Sequence, residues 1–154
     1  MPKTRWRHYA ENRVAPIRRK SNGPFTAEDD NLKDRGLKGV QLIISDARGL
    51  VEAAGEVFPN TDWQRCVVHW YRSVFSHVPN GKVAEVARML KAIHAQEDRR
   101  AAQARAAEVV SRLKEMRLRT AAELVEKKGH ETLTCNAFSS THWRQIKTNN
   151  PLER

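Results

Sequence analysis

The chain has 154 residues, a length that suits one domain with its own hydrophobic core. Its 28 lysines and arginines against 18 acidic residues give a formal net charge of +10. No apolar run approaches the roughly 20 residues that span a bilayer, and the basic N-terminus lacks the apolar core of a secretory signal. The two cysteines, Cys66 and Cys135, form no disulfide framework, which suits a reducing compartment. We therefore expect a cytoplasmic protein with no membrane partner.

The basic excess favours a polyanionic partner, and nucleic acid is the commonest, over a basic protein without such a role. It is concentrated at the N-terminus, where the first 20 residues contain seven lysines or arginines and one acid. Residues 1–30 show little apolar periodicity and are predicted to be a disordered extension. Such an arm can bind phosphates or have no role, and the second alternative is slightly favoured.

Residues 40–70 carry the pattern of a β-α-β unit. The apolar run at 40–44 predicts a buried strand, and the apolar spacing over 50–58 predicts a helix. Residues 63–70, WQRCVVHW, predict a second strand. A strand, a helix of about ten residues and another strand most simply form a parallel pair.

Asp46 lies at the carboxyl end of the first predicted strand. In open α/β sheets, ligands and catalytic groups collect at the carboxyl ends of strands. Aspartate is also a favoured residue at the start of a helix, and a helix is predicted to follow. The stretch by itself supports a catalytic role and a capping role equally.

Residues 82–128 are predicted to form two or three helices, each with one buried stripe. Val83, Val86, Leu90 and Ile93 follow steps of three and four residues, and Gly129 is expected to end the last helix. The charged faces are most simply solvated. Farther on, Asn150 and Pro151 signal the start of a helix with Glu153 in its first turn. The sequence stops at Arg154, so a truncated chain is expected.

Cys66 and His69 form a C-x-x-H pair that could contribute to a zinc site. Four ligands are required, and the remaining candidates form no second pair: Cys135, His77, His130 and His142. On one strand, positions 66 and 69 would point to opposite faces unless the strand ended between them. We expect a buried cysteine and a histidine at an element boundary rather than a zinc site.

Three tryptophans lie near arginines in the sequence. Aromatic rings beside arginine can stack on unpaired bases while the guanidinium contacts phosphate. The rings can equally belong to the core, and the sequence does not decide between these roles. The pairs are Trp63 with Arg65, Trp70 with Arg72, and Trp143 with Arg144.

Three motifs taken together closely resemble the bacterial Mutator-type transposases of insertion sequences. They are GLKGVQLIISDARGL, VFPNTDWQRCVVHWYRSVFSHVP and HWRQIKTNNPLER, and the resemblance covers residues 31–154. It implies an α/β, ribonuclease-H-like DDE catalytic domain, mostly α by residue count, with a helical insertion at about 82–128. It also implies catalytic, metal-binding roles for Asp46 and Glu153, while the role of the Cys66 and His69 signature stays open.

The resemblance further implies Mg²⁺ or Mn²⁺ as cofactor, DNA as partner, nucleoid association, and assembly with identical copies or with a full-length transposase. Two metal ions could stabilise the attacking and leaving oxygens of a phosphodiester. The candidates for DNA contact are the following basic and aromatic residues: Arg65, Arg72, Trp143, Arg144, Lys147 and Arg154.

The sequence departs from the family because no residue matches the first catalytic aspartate. The strand that should carry it is missing, so about two strands of the fold are expected. The main hypothesis is therefore a transposase remnant that is inactive alone, which leaves its status as an enzyme open. The alternatives are a non-catalytic basic DNA-binding protein that interferes with the full-length transposase, and an unfolded translation product.

Overall fold

The computed structural model describes residues 40–45 and 59–147. Within these ranges the protein is a mixed α/β structure, mostly helical, with one two-stranded parallel sheet. The strands are β1 (Leu42–Ser45) and β2 (Asp62–Arg65). The helices are α1 (Val67–Phe75), α2 (Asn80–His94), α3 (Arg99–Glu115), α4 (Arg119–Lys128) and α5 (Trp143–Ile146). Three 3₁₀ turns, Gly129–Thr132, Thr134–Ala137 and Ser140–His142, connect α4 to α5.

The predicted parallel strand pair is confirmed. Leu42 pairs with Asp62 at one end of the sheet and Ser45 pairs with Arg65 at the other. All four residues of β1 are buried, as their continuous apolar run predicts. The helix expected at 50–58 lies outside the described residues.

The prediction of one strand over residues 63–70 is wrong in its second half. The strand ends at Arg65, and α1 begins at Val67. Val67 and Val68 favour a strand locally, but burial decides the conformation here. Trp70 and Val74 lie one helical turn apart, and both are buried against the helical core. Val67 is buried as well, three residues before Trp70; a helix places all three side chains on one face, whereas a strand would point Val67 and Trp70 to opposite faces.

The three helices α2, α3 and α4 confirm the predicted helical region. Their buried stripes meet α1 in one core that contains Trp70, Val86, Leu90, Leu113 and Val125. Asp98 caps the start of α3, because its Oδ1 accepts from the amide of Ala101 at 2.7 Å. Helix α4 ends before Gly129 as predicted, although this glycine has a right-handed φ of −60° and continues into a 3₁₀ turn.

The segment from 134 to 147 packs on the sheet and forms a second, smaller core. This core joins residues from β1, the β2–α1 junction, the second 3₁₀ turn and α5: Leu42, Ile44, Cys66, Cys135 and Ile146. The segment therefore covers the sheet beside the point where both strands end. Across the described ranges, every helix is too short or too polar to cross a membrane.

Candidate functional site at the carboxyl end of the sheet

The carboxyl end of the sheet is held together by two hydrogen bonds that Ser45 accepts. The carbonyl oxygen of Ser45 accepts the amide of Cys66 at 2.8 Å. Its hydroxyl oxygen accepts the indole Nε1–H of Trp63 at 2.7 Å. Asp46 is the next residue, and it lies outside the described residues. The structure thus fixes Ser45, the residue just before Asp46, at the end of a fully buried strand.

Two consecutive amides at the β2–α1 junction hold two distant parts of the chain. Cys66 donates to the carbonyl of Ser45 at 2.8 Å, and Val67 donates to the carbonyl of Lys147 at 3.0 Å. Because consecutive residues are one Cα step of about 3.8 Å apart, the two carbonyl oxygens lie within about 10 Å of each other. Glu153 follows Lys147 in sequence and also lies outside the described residues. The chain positions leading into Asp46 and toward Glu153 are therefore neighbours in space.

Gln64 strengthens this junction from inside the sheet. Its side chain is fully buried on β2. The side-chain Nε2 donates to the carbonyl of Ile146 at 2.9 Å, and Oε1 accepts the amide of Cys135. One side chain thus ties β2 to both ends of the segment that covers the sheet. The sequence analysis did not single out Gln64. Its one distinguishing feature is that its amide side chain lies between two half-buried residues of a short strand.

Cys66 and His69 do not share one strand, so the condition under which they would point to opposite faces of it is not met. The strand ends before Cys66, whose side chain is buried in the smaller core together with the thiol of Cys135. His69 lies in the first turn of α1 and is half-buried. In the described ranges no three His, Cys, Asp or Glu side chains are grouped to hold a metal ion.

His69 lines an open groove along α1, with a volume of about 380 Å³. The other lining residues are Arg65, Arg72, Ser73 and Ser76. Helix α1 contains no acidic residue. The groove starts at the carboxyl end of β2, and the side chains of Arg65 and Arg72 line it.

The residues predicted to contact DNA have different environments. Arg72 and Arg144 are exposed, and Arg154 lies outside the described residues. Arg65 forms an ion pair with Glu131 at 2.6 Å, and its guanidinium lies 5.3 Å from the centre of the Trp63 ring. The Lys147 ammonium donates to the carbonyl of His94 at 2.7 Å. Arg65 and Lys147 thus have structural partners, and DNA contact by these residues stays a prediction.

The tryptophans are packed to different degrees. Trp70 is 2% exposed and lies in the helical core, which settles its role in favour of packing. Trp63 and Trp143 are half-buried. The indole N–H of Trp143 donates to the carbonyl of Phe138 at 2.8 Å, and its ring lies 5.7 Å from the Lys147 ammonium. Trp143 therefore stabilises the segment that covers the sheet.

A buried polar network joins this segment to the helical core, and the sequence analysis missed it. Thr132 donates its hydroxyl to the carbonyl of Gly129 at 2.6 Å, so it accepts from Nε2–H of His94 at 2.8 Å. Nδ1 of His94 is then the acceptor for the Tyr71 hydroxyl at 2.9 Å. Burial lowers the pKa of His94 from 6.5 to about 4; the carbonyl of Leu90 opposes this shift, and the nearby Lys147 adds to it. His94 is neutral at pH 7.

Comparison with known proteins decides the family. The family model described as "Transposase, Mutator family" matches residues 21–154. The chain belongs to the Mutator family of transposases. The resemblance found in the three sequence motifs is thereby confirmed.

Several curated insertion-sequence transposases are similar to this Mutator-family chain. It is 36% identical over 124 residues to the transposase for insertion sequence element ISRM5 of Rhizobium meliloti (strain 1021), covering 80% of this chain and 31% of that protein. It is 36% identical over 125 residues to the transposase for IS1081 of Mycobacterium tuberculosis (strain ATCC 25618 / H37Rv), covering 80% of this chain and 30% of that protein. A shorter match of 60 residues, 47% identical, relates it to the transposase for IS256 in transposon Tn4001 of Staphylococcus aureus, covering 38% of this chain and 15% of that protein. The chain spans about a third of the length of the first two relatives.

Proposed function

We propose that this chain forms the carboxylate-bearing part of a DDE transposase catalytic domain with a ribonuclease-H-like fold. Asp46 and Glu153 would hold Mg²⁺ or Mn²⁺, and α2, α3 and α4 would form the helical insertion. The observation that carries the proposal is the pair of adjacent amides at Cys66 and Val67. They bring together the carbonyls of Ser45 and Lys147, from which the two acidic segments continue. A parallel strand with an acid following its carboxyl end also supports this fold.

The donor chemistry of the proposed site fits the metal. Mg²⁺ prefers hard oxygen ligands such as carboxylates and keeps several waters. Bound metal would supply charge stabilisation for the attacking and leaving oxygens of a phosphodiester. The contribution of the protein would be to bring Asp46 and Glu153 together. Two carboxylates in one place repel each other unless a cation lies between them, so the pair should have a measurable affinity for divalent ions.

DNA is the proposed substrate, and the groove on α1 is its proposed contact surface. Phosphate contacts by cationic side chains position DNA without reading its sequence. His69 and Arg72 line the groove, and no acid of α1 opposes a phosphate there. From His69 to Ser76 the helix rises about 10 Å, which compares with about 3.4 Å of axial rise per nucleotide. A DNA strand could thus run from this helix to the carboxyl end of the sheet, and nucleoid association would follow from the same contacts.

The test of the catalytic proposal is divalent-metal binding. We expect the chain to bind Mn²⁺, followed by the electron paramagnetic resonance signal of the free ion. Asp46→Asn or Glu153→Gln would remove a carboxylate proposed to bind the ion and should weaken Mn²⁺ binding by about tenfold or more. Asp62→Asn is the matched control, because Asp62 is exposed and lies at the opposite end of β2. Equal Mn²⁺ affinities in all four proteins would refute the proposal.

A second function, DNA binding without catalysis, is favoured by the basic groove and the net charge of +10. Such a protein would interfere with a longer transposase by occupying its DNA or by joining its subunits. Its DNA affinity would depend on salt but would be unchanged by Mg²⁺ or by Asp46→Asn. Metal-dependent strand cleavage that Asp46→Asn abolishes would instead support the catalytic function of this chain.

A further inference from the structure

Three cations meet where the start of α2 lies against the turn between α3 and α4. Lys82, in the first turn of α2, donates from its ammonium to the carbonyl of Met116 at 3.3 Å. Arg117 follows Met116 in the turn, and Arg119 is the first residue of α4. All three cationic residues are exposed. They are called the α2–α4 corner below.

The three side chains of the α2–α4 corner start from backbone positions that are close together. A carbonyl oxygen lies within about 4 Å of the next Cα along the chain, so the Lys82 ammonium is at most about 7 Å from the Cα of Arg117. Two Cα steps join Arg117 to Arg119, a distance of at most about 7.6 Å. Long side chains that start this close to one another can contact the same stretch of a phosphate backbone.

The acids nearest to the α2–α4 corner in sequence face other cations. Glu85 and Glu115 lie 3.8 Å and 3.0 Å from the guanidinium of Arg112. Glu126 lies 3.5 Å from the ammonium of Lys114. The first turns of α2 and α4 contain no acid. Among the residues that the structure describes, no carboxylate forms an ion pair with a cation of the α2–α4 corner, so this surface presents positive charge to a partner.

Arg117 has a backbone conformation that is unfavourable for an arginine. Its φ is 61°, in the left-handed region that favours glycine. Its amide donates to the carbonyl of Lys114 at 3.0 Å, and the next residue, Leu118, is buried in the helical core. The turn is therefore held in place while the arginines on either side of Leu118 stay exposed. Backbone strain of this kind is found at functional sites, where the side chain has a use that glycine would not serve.

The α2–α4 corner lies close to the groove on α1. Ser76, which lines the end of that groove, precedes Lys82 by six residues. Six Cα steps span at most about 23 Å. One turn of duplex DNA is longer, at about 34 Å. A single duplex is therefore long enough to contact both surfaces within one turn.

We propose that the α2–α4 corner is a second contact surface for the DNA phosphate backbone, in addition to the groove on α1. The proposal rests on the proposed function in one respect, namely that DNA is the partner of this chain. Phosphate contacts position DNA and add affinity without reading its sequence. Each cation that neutralises a phosphate releases a counterion, so binding through the corner depends steeply on the salt concentration.

Removing charge from the α2–α4 corner should weaken DNA binding. Lys82→Gln, Arg117→Gln and Arg119→Gln should each reduce the slope of log affinity against log salt by about one. Fluorescence anisotropy with a DNA duplex and the full 154-residue chain measures this slope. The matched control is Arg100→Gln, which removes an exposed cation at the other end of α3, about 25 Å from Arg117 along the helix axis. Equal slopes in this control and the three variants would overturn the proposal, because the net charge alone would then explain the binding.

Arg117 also allows DNA binding to be separated from folding. Arg117→Gly should raise the melting temperature because it relieves the left-handed strain, and it should reduce the salt slope as much as Arg117→Gln does. Arg117→Lys should keep the salt slope of wild type, because lysine contacts phosphate as a point charge. A purely structural role of Arg117 would not combine higher stability with weaker binding. A wild-type salt slope in Arg117→Gly would therefore overturn the proposal.

The outcomes distinguish the α2–α4 corner from the groove on α1. A reduced slope in Arg72→Gln together with wild-type slopes in the three corner variants would overturn the corner alone. Reduced slopes in the corner variants together with a wild-type slope in Arg72→Gln would support the corner and reject the groove as a DNA contact. A wild-type chain that binds no DNA would overturn both.

Discussion

Arg65 and Glu131 form an ion pair at 2.6 Å in which the two side chains are only 14% and 9% exposed. The pair joins the carboxyl end of β2 to the 3₁₀ turn after α4, two elements far apart in sequence. It lies beside the proposed site and limits what Arg65 can do there. Arg65 is largely buried in this pair, whereas Arg72 is exposed, so Arg72 is the more accessible candidate for DNA contact.

Removing the acid of this pair should destabilise the protein. Glu131→Gln removes the carboxylate that pairs with the largely buried Arg65, and we expect the free energy of unfolding to fall by about 2–4 kcal/mol. Urea unfolding followed by circular dichroism measures the change. The double variant Arg65→Met with Glu131→Leu should lose less than the single variant, because no unpaired charge remains. A larger loss in the double variant would contradict this explanation.

Stability should fall below pH 6.5 because of His94. Its pKa is lowered from 6.5 to about 4 by burial, so the unfolded chain binds a proton more readily than the folded protein does. The contribution is fully present above pH 6.5 and is lost as the pH falls toward 4, with a total of roughly 3 kcal/mol. Urea unfolding at a series of pH values measures it.

The matched variants for this pH effect are two histidine substitutions. His94→Gln should flatten the pH dependence between 4 and 6.5, at some cost in stability at pH 7. His77→Gln changes an exposed histidine and should leave the slope as in wild type. An unchanged slope in His94→Gln would assign the pH dependence to another group.

Arg117 is expected to be a point of backbone strain that glycine relieves. It has a φ of 61° between α3 and α4, where the Leu118 amide donates to the carbonyl of Leu113 in a helix-ending pattern. The left-handed region costs a non-glycine residue about 1–2 kcal/mol, part of which the greater freedom of glycine in the unfolded chain cancels. Arg117→Gly should therefore raise the free energy of unfolding by about 0.5–1 kcal/mol.

The control for this prediction is the same change within a helix. Arg105→Gly, in the middle of α3, should lower the free energy of unfolding by about 1 kcal/mol, because glycine is a poor helix former. Thermal and urea unfolding of both variants give the two signs directly. Destabilisation by Arg117→Gly would show that the arginine side chain makes a stabilising contribution that exceeds the strain.

Arg72 and Ser73 should control DNA binding through the groove on α1. Arg72→Gln removes a cation, and we expect the slope of log affinity against log salt to shrink by about one. Ser73→Glu places an acid where a phosphate would lie, so it should weaken duplex binding further. Fluorescence anisotropy at several salt concentrations measures both effects.

The controls for DNA binding carry the same charge changes on another helix. Arg100→Gln and Ser111→Glu alter exposed positions of α3, so they have the same effect on net charge without touching the groove. We expect smaller losses than in the α1 variants. Equal losses would mean that only the net charge matters, and that the groove has no special role.

The sequence by itself determined the family, the parallel strand pair and the helical region. These features depend on local patterns: a continuous apolar run for β1, an apolar face repeated every three to four residues for α2 to α4, and three motifs in order. The family motifs also named Asp46 and Glu153, which lie outside the described residues, so their roles stay predictions.

Only the tertiary structure decided where β2 ends and what holds the carboxyl end of the sheet. The valines after Cys66 favour a strand, yet the burial of Trp70 and Val74 in a distant core makes the segment a helix. Gln64, Glu131 and His94 are polar residues whose partners lie 82, 66 and 38 positions away, counted to Ile146, Arg65 and Thr132. No local pattern encodes such contacts, because a buried polar group is satisfied by whatever the fold brings to it.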